Sequence, residues 1–167
     1  MADTEIKMPI LSPVRIPTKN ISWWRRFFKS FEVRSWKLEE DYLLYMPWLN
    51  ETLLVPKGFI FDGASIPRTL WPILNPTGIL FLGSLFHDFG YKYNAFLNSD
   101  FKVVHQFSGQ SFMDDQIKNI STYVNDAHVM EDVSWGALRI FGFVAWNEHR
   151  KINSNIFIDF KNRDTHV

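Results

Sequence analysis

At 167 residues, 46% hydrophobic and 17% aromatic, the chain is long enough to fold as one domain around a sizeable core. Its 18 basic and 18 acidic residues cancel, so no global field draws it to nucleic acid, and none is expected as a partner. With no cysteine, disulfides, thiolate metal sites and cysteine nucleophiles are excluded.

In chain order, Pro9, Pro13 and Pro17 recur every fourth residue and disfavour helix, so residues 1–21 read as an extended proline-containing arm. The N-terminus lacks the basic start and long apolar stretch of a signal peptide. No apolar run approaches the ~18 residues that span a bilayer, so synthesis in the cytoplasm is expected. In SWWRRFFKSF, residues 22–31, the aromatics Trp23, Trp24, Phe27 and Phe28 recur at helical spacing opposite Arg25, Arg26 and Lys29. Such a turn suits a membrane surface; packing of its aromatics onto the domain is the plainer expectation.

Loose alternation over 32–48 points Val33, Trp36, Leu38, Tyr42, Leu44 and Met46 inward, and TLLVPKGFIFD follows, rich in β formers. These stretches predict two or three short antiparallel strands, with Pro56 and Gly58 at a turn or bulge. From Ser65 the period lengthens towards 3.6. SIPRTLWPIL predicts a short helix with Pro67 in its first turn, broken by Asn75-Pro76. Ile79, Leu82, Phe86, Phe89 and Tyr93 trace a helix over 78–96. Residues 97–109 read as a polar loop, and Met113, Ile117, Ile120 and Val124 predict a helix over 110–124. A last helix over 130–149 is apolar nearly all round, which requires central burial or an interface. The expected fold is α+β, a small antiparallel sheet followed by three or four packed helices. The arm, a single domain over 22–149 and a tail over 150–167 make up the chain.

The chemistry-bearing residues cluster in two of these helices. Tyr91 lies one turn after His87 on the same face, while Asp88 is turned about 100° away, so His87 and Asp88 are expected to diverge. Asp114 points towards the apolar face of its helix, and a carboxylate aimed into a core needs a partner. If the helices are antiparallel neighbours, His87 is that partner. A carboxylate on one ring nitrogen fixes the tautomer and makes the other more basic. The plainer alternative is a polar cluster that locks two helices together. Asp62, at a strand end before Gly63, offers a further carboxylate for a metal. His105, His128, His149 and His166 form no second cluster, and neither an H-E-x-x-H zinc motif nor a glycine-rich phosphate loop is present.

The run VPKGFIFDGASIPRTLWPILNPTG…FHDFGY, residues 55–91, resembles the phage and prophage family DUF1353. That family's pattern is V-P-x-G-F-x-T-D, A-S-x-P-R, a Trp-containing helix, H-D-x-x-Y and an A-D-x-x-F helix. Val55, Pro56, Gly58, Phe59 and Asp62 match the first element. Ala64, Ser65, Pro67 and Arg68 match the second, and Trp71, His87, Asp88 and Tyr91 follow in order. Asp114 stands over the Asp of the later helix. The chain departs in Ile60-Phe61-Asp62 and in a longer loop between Tyr91 and Asp114. The resemblance implies a phage origin and brings no established activity.

H-D-x-x-Y with an Asp on an antiparallel helix is also similar to phospholipase A2, above all the parvoviral type, which lacks disulfides. That likeness implies His87 as general base, Asp114 as its orienting carboxylate and Asp88 as a calcium ligand. A glycine-rich calcium loop is missing; only FDGAS stands upstream. Two functions follow as expectations. The first is a virion-associated or assembly component whose partners are other phage structural proteins or further copies of itself. The alternative is a calcium-dependent hydrolase of lipid or cell-envelope esters or amides.

Overall fold

The computed structural model describes residues 6–15, 22–24, 35–61, 80–125 and 146–147. The elements in order are β1 (Leu11–Pro13), β2 (Trp36–Leu38), β3 (Tyr42–Met46), β4 (Glu51–Val55), β5 (Ile60–Phe61), α1 (Phe81–Tyr93), β6 (Phe96–Asn98), β7 (Val103–Val104) and α2 (Gly109–Asn125). The fold is α+β, as expected, and every strand pair is antiparallel. Two details differ. The strands form two sheets, β1-β2-β5 and β3-β4-β6-β7, rather than one. The described residues hold two long helices rather than three or four. The helices expected over 65–74 and 130–149 lie outside the described residues, apart from Trp146 and Asn147.

The strands follow the physics of a half-buried surface. β3 alternates, burying Tyr42, Leu44 and Met46 and exposing Leu43 and Tyr45. β4 is flanked by β3 and β6 and buries Leu53, Leu54 and Val55 in succession, as a strand covered on both faces does. The turn after Pro56 is present, with Gly58 at φ 82 and the Phe59 N–H donating to the Pro56 carbonyl at 3.2 Å. In the arm, β1 pairs with β2 in the register Leu11↔Leu38 to Pro13↔Trp36, which ties residues 11–13 to the smaller sheet.

The stretch 97–109 is not an irregular loop: it contributes part of β6 and all of β7. Asn98 makes the tight reversal by accepting the N–H groups of Asp100 and Lys102 on Oδ1, at 3.0 and 2.9 Å, while Phe101 takes φ 59. β6 then pairs with β4, over forty residues earlier in the chain, through Leu53↔Asn98 and Leu54↔Leu97.

α1 is buried on nearly every side by Leu82, Leu85, Phe86, Phe89, Tyr91 and Tyr93. It ends where Asn94 adopts the left-handed conformation and returns its N–H to the Gly90 carbonyl at 2.7 Å. Its apolar side meets both sheets: Phe89 stands edge-on to Phe59 at 5.2 Å, and Phe86 lies 6.1 Å from Tyr42. The remaining side faces α2.

Candidate functional site

Gly83, His87 and Gly90 stand one turn apart on the side of α1 that meets α2. A β-carbon at Gly83 would come within 2.8 Å of Ile117 Cγ1 and 3.0 Å of the Ile117 carbonyl, and one at Gly90 would strike Met113 Sδ. The glycines thus let the helix backbones approach closely on either side of His87. As α1 ascends from 83 to 90, its contacts descend from Ile117 and Ser121 to Met113, so the helices are antiparallel.

At this close approach His87 Nε2 lies 3.1 Å from Asp114 Oδ1. The Tyr91 hydroxyl donates a short hydrogen bond to the same oxygen, and Gln110 Nε2 lies 3.5 Å from Oδ2. The imidazole lies against the Tyr91 ring, centroids 4.0 Å apart, and Trp146 meets the Tyr91 ring edge-on at 5.0 Å. Asp114 is fully buried and His87 is 6% exposed. A carboxylate so placed is tolerable because a hydroxyl and an imidazole address its oxygen.

The other ring nitrogen corrects the sequence reading. His87 and Asp88 do not diverge: Nδ1 lies 3.5 Å from Asp88 Oδ1. Helical angle fixes where two Cβ atoms point, but both side chains are long enough to turn back towards each other. Asp88 keeps partial access to solvent while His87 does not. Burial acts to lower the His87 pKa. Hydrogen bonds to Asp114 and Asp88 and the charges of both carboxylates outweigh it, so the imidazole sits above the ordinary histidine value.

The structure thus brings His87, Asp88, Tyr91 and Asp114 together. Asp62, Arg68, Phe27 and Phe28 lie outside the described residues, as do His128, His149 and His166. Among the described residues no group of three or more His, Cys, Asp or Glu side chains is arranged to hold a metal ion. Calcium takes six to eight oxygens, and near His87 the described carboxylates are Asp114, fully buried, and Asp88, partly exposed but with Oδ2 buried. The described residues therefore do not by themselves make a calcium site. One pairing escaped the sequence reading. His105 Nε2 lies 2.9 Å from Glu51 Oε2, and its ring stacks on Phe112 at 5.1 Å. Glu51 lies in β4, His105 in the loop after β7 and Phe112 in α2, and no spacing in the sequence announces them.

Two antiparallel sheets closed by a helix pair, with a buried histidine–aspartate–tyrosine network at the helix contact, define an α+β protein with a histidine–carboxylate site. The chain belongs to the DUF1353 family, described as proteins of unknown function, whose model matches residues 36–130. That match contains His87, Asp88, Tyr91 and Asp114. No curated protein and no solved structure matches the chain.

Proposed function

We propose that this is a phage-encoded hydrolase in which His87 is the general base and Asp114 its orienting carboxylate, acting on lipid or cell-envelope esters or amides. The observation that carries the reading is the division of labour on one imidazole. Nε2 is held by Asp114, itself fixed by Tyr91, while Nδ1 faces Asp88, the most exposed member of the cluster, although its Oδ2 is buried. Held at Nε2, the ring offers Nδ1 for chemistry once its contact with Asp88 gives way to a substrate water. Nδ1 takes a proton from water as its oxygen attacks the carbonyl carbon, then returns it to the departing alkoxide or amine. Asp114 stabilises the imidazolium formed between these steps. The likeness to phospholipase A2 points to ester bonds of phospholipids first.

A second reading has its own support. His87 and Asp114 are deeply buried, as a polar lock between two helices of a virion or assembly subunit requires. Release of fatty acid from phosphatidylglycerol vesicles, with calcium or with chelator, separates the two. Activity in the wild type that is lost in His87→Ala supports the hydrolase, and its dependence on calcium would assign Asp88 a metal. Absence of release from both proteins, with His87→Ala merely less stable, leaves the lock.

A further inference from the structure

Residues 6–31 carry six basic side chains, Lys7, Arg15, Lys19, Arg25, Arg26 and Lys29, and no Asp or Glu. The rest of the chain therefore holds twelve basic against eighteen acidic residues. Overall neutrality is a cancellation between a basic N-terminal tract and an acidic remainder. A charged partner responds to the local balance, because screening limits its view to roughly 10 Å. Within this tract Trp23 and Trp24 are 63% and 58% exposed and stack on each other, with centroids 3.6 Å apart. Met8 and Ile10, earlier in the tract, are also about half exposed. Among the described residues no helix is long and apolar enough to cross a membrane, so contact with lipid would be at its surface.

We propose that the Trp23–Trp24 step, with the cations of its tract, docks the protein on an anionic lipid surface. Indoles are favoured in the headgroup layer, where an apolar body and a polar N–H are both accommodated, and nearby cations meet lipid phosphates. Duplex DNA would engage the same cations but buries its bases away from indoles, so the exposed Trp pair favours lipid. Docking holds whether or not His87 does chemistry.

Co-sedimentation with vesicles tests it, using phosphatidylglycerol–phosphatidylcholine mixtures against phosphatidylcholine alone. Wild type binds the anionic vesicles and releases as salt rises, and Trp23→Ala/Trp24→Ala weakens binding by about tenfold or more. Arg25→Glu/Arg26→Glu weakens it similarly, while His87→Ala binds as wild type does. Because both indoles are exposed, the Trp variant keeps the wild-type melting temperature. Failure of wild type to bind, or equal binding by the Trp variant, overturns the proposal. So does binding to duplex DNA that is tighter than to vesicles and indifferent to the Trp substitutions. Wild type that cleaves a soluble short-chain ester yet ignores vesicles overturns docking alone. Vesicle binding without hydrolysis of either substrate overturns only the hydrolase reading.

Discussion

Replacing Gly83 by alanine sets two effects of known size against each other. In a helix interior the change is favourable by about 1 kcal/mol, because glycine gives up more backbone freedom on folding. Against that, the new carbon would sit 2.8 Å from Ile117 Cγ1, 3.0 Å from the Ile117 carbonyl and 3.0 Å from Ser121 Oγ. Carbon atoms rest about 3.5–4.0 Å apart, so the overlap is several tenths of an ångström. Both Ile117 and Ser121 are buried, and a helical carbonyl moves only with its helix. Overpacking of this kind costs typically about 1–3 kcal/mol, rising when backbone must move. With a backbone carbonyl in the way the upper part of that range applies, about 2–3 kcal/mol, so the expected net loss is about 1–2 kcal/mol, read as a lower urea midpoint at unchanged slope. Separation of the helices also stretches the 3.1 Å His87–Asp114 contact, so the proposed hydrolysis should fall with stability. Gly90→Ala meets the flexible thioether of Met113 and costs less. A Gly83→Ala protein as stable as wild type, or more so, would refute the close approach of the helices.

Three further outcomes follow from the site. Asp114→Ala leaves the Tyr91 hydroxyl and the His87 ring without their buried acceptor, and should cost about 3–5 kcal/mol by chemical denaturation; a loss under ~1 kcal/mol contradicts the network. Tyr91→Phe removes one donor to Asp114 while keeping the ring against His87 and Trp146, and should cost about 1–2 kcal/mol and shift the pH–rate profile of the proposed hydrolysis. The third concerns pH. The folded protein binds the His87 proton more tightly than the unfolded chain does. The resulting stability is therefore complete below about 6.5 and is lost as pH rises through the higher folded value. Melting temperature should fall across that window in wild type, and the fall should flatten in His87→Gln.

Both described helices were legible because their stripes are long: Leu82, Phe86 and Phe89 in one, Met113, Ile117 and Ile120 in the other, all buried as the periodicity requires. Asp114 was legible for a related reason, since a carboxylate on an apolar stripe demands a partner and His87 was the one within reach. The strands of three and two residues at 96–98 and 103–104 were not legible. β6 pairs with β4 across more than forty residues and β7 pairs with β6, and the turn between them is made by Asn98 and a left-handed Phe101 rather than by glycine. The approach of Asp88 to His87 escaped because a helical wheel records where Cβ atoms point and says nothing of how side chains turn. The His105–Glu51 pair escaped because it is set by tertiary placement alone.

The central claim is that Asp114 holds one nitrogen of His87 and leaves the other able to exchange a proton. Imidazole nitrogen-15 NMR of the full chain, across about pH 5 to 9, reads both nitrogens directly. The account predicts a single titration above the ordinary histidine value, with Nδ1 losing its proton while Nε2–H stays bonded to Asp114. An imidazole that keeps both protons across the whole range would contradict it, and would make His87 a fixed cation between two carboxylates.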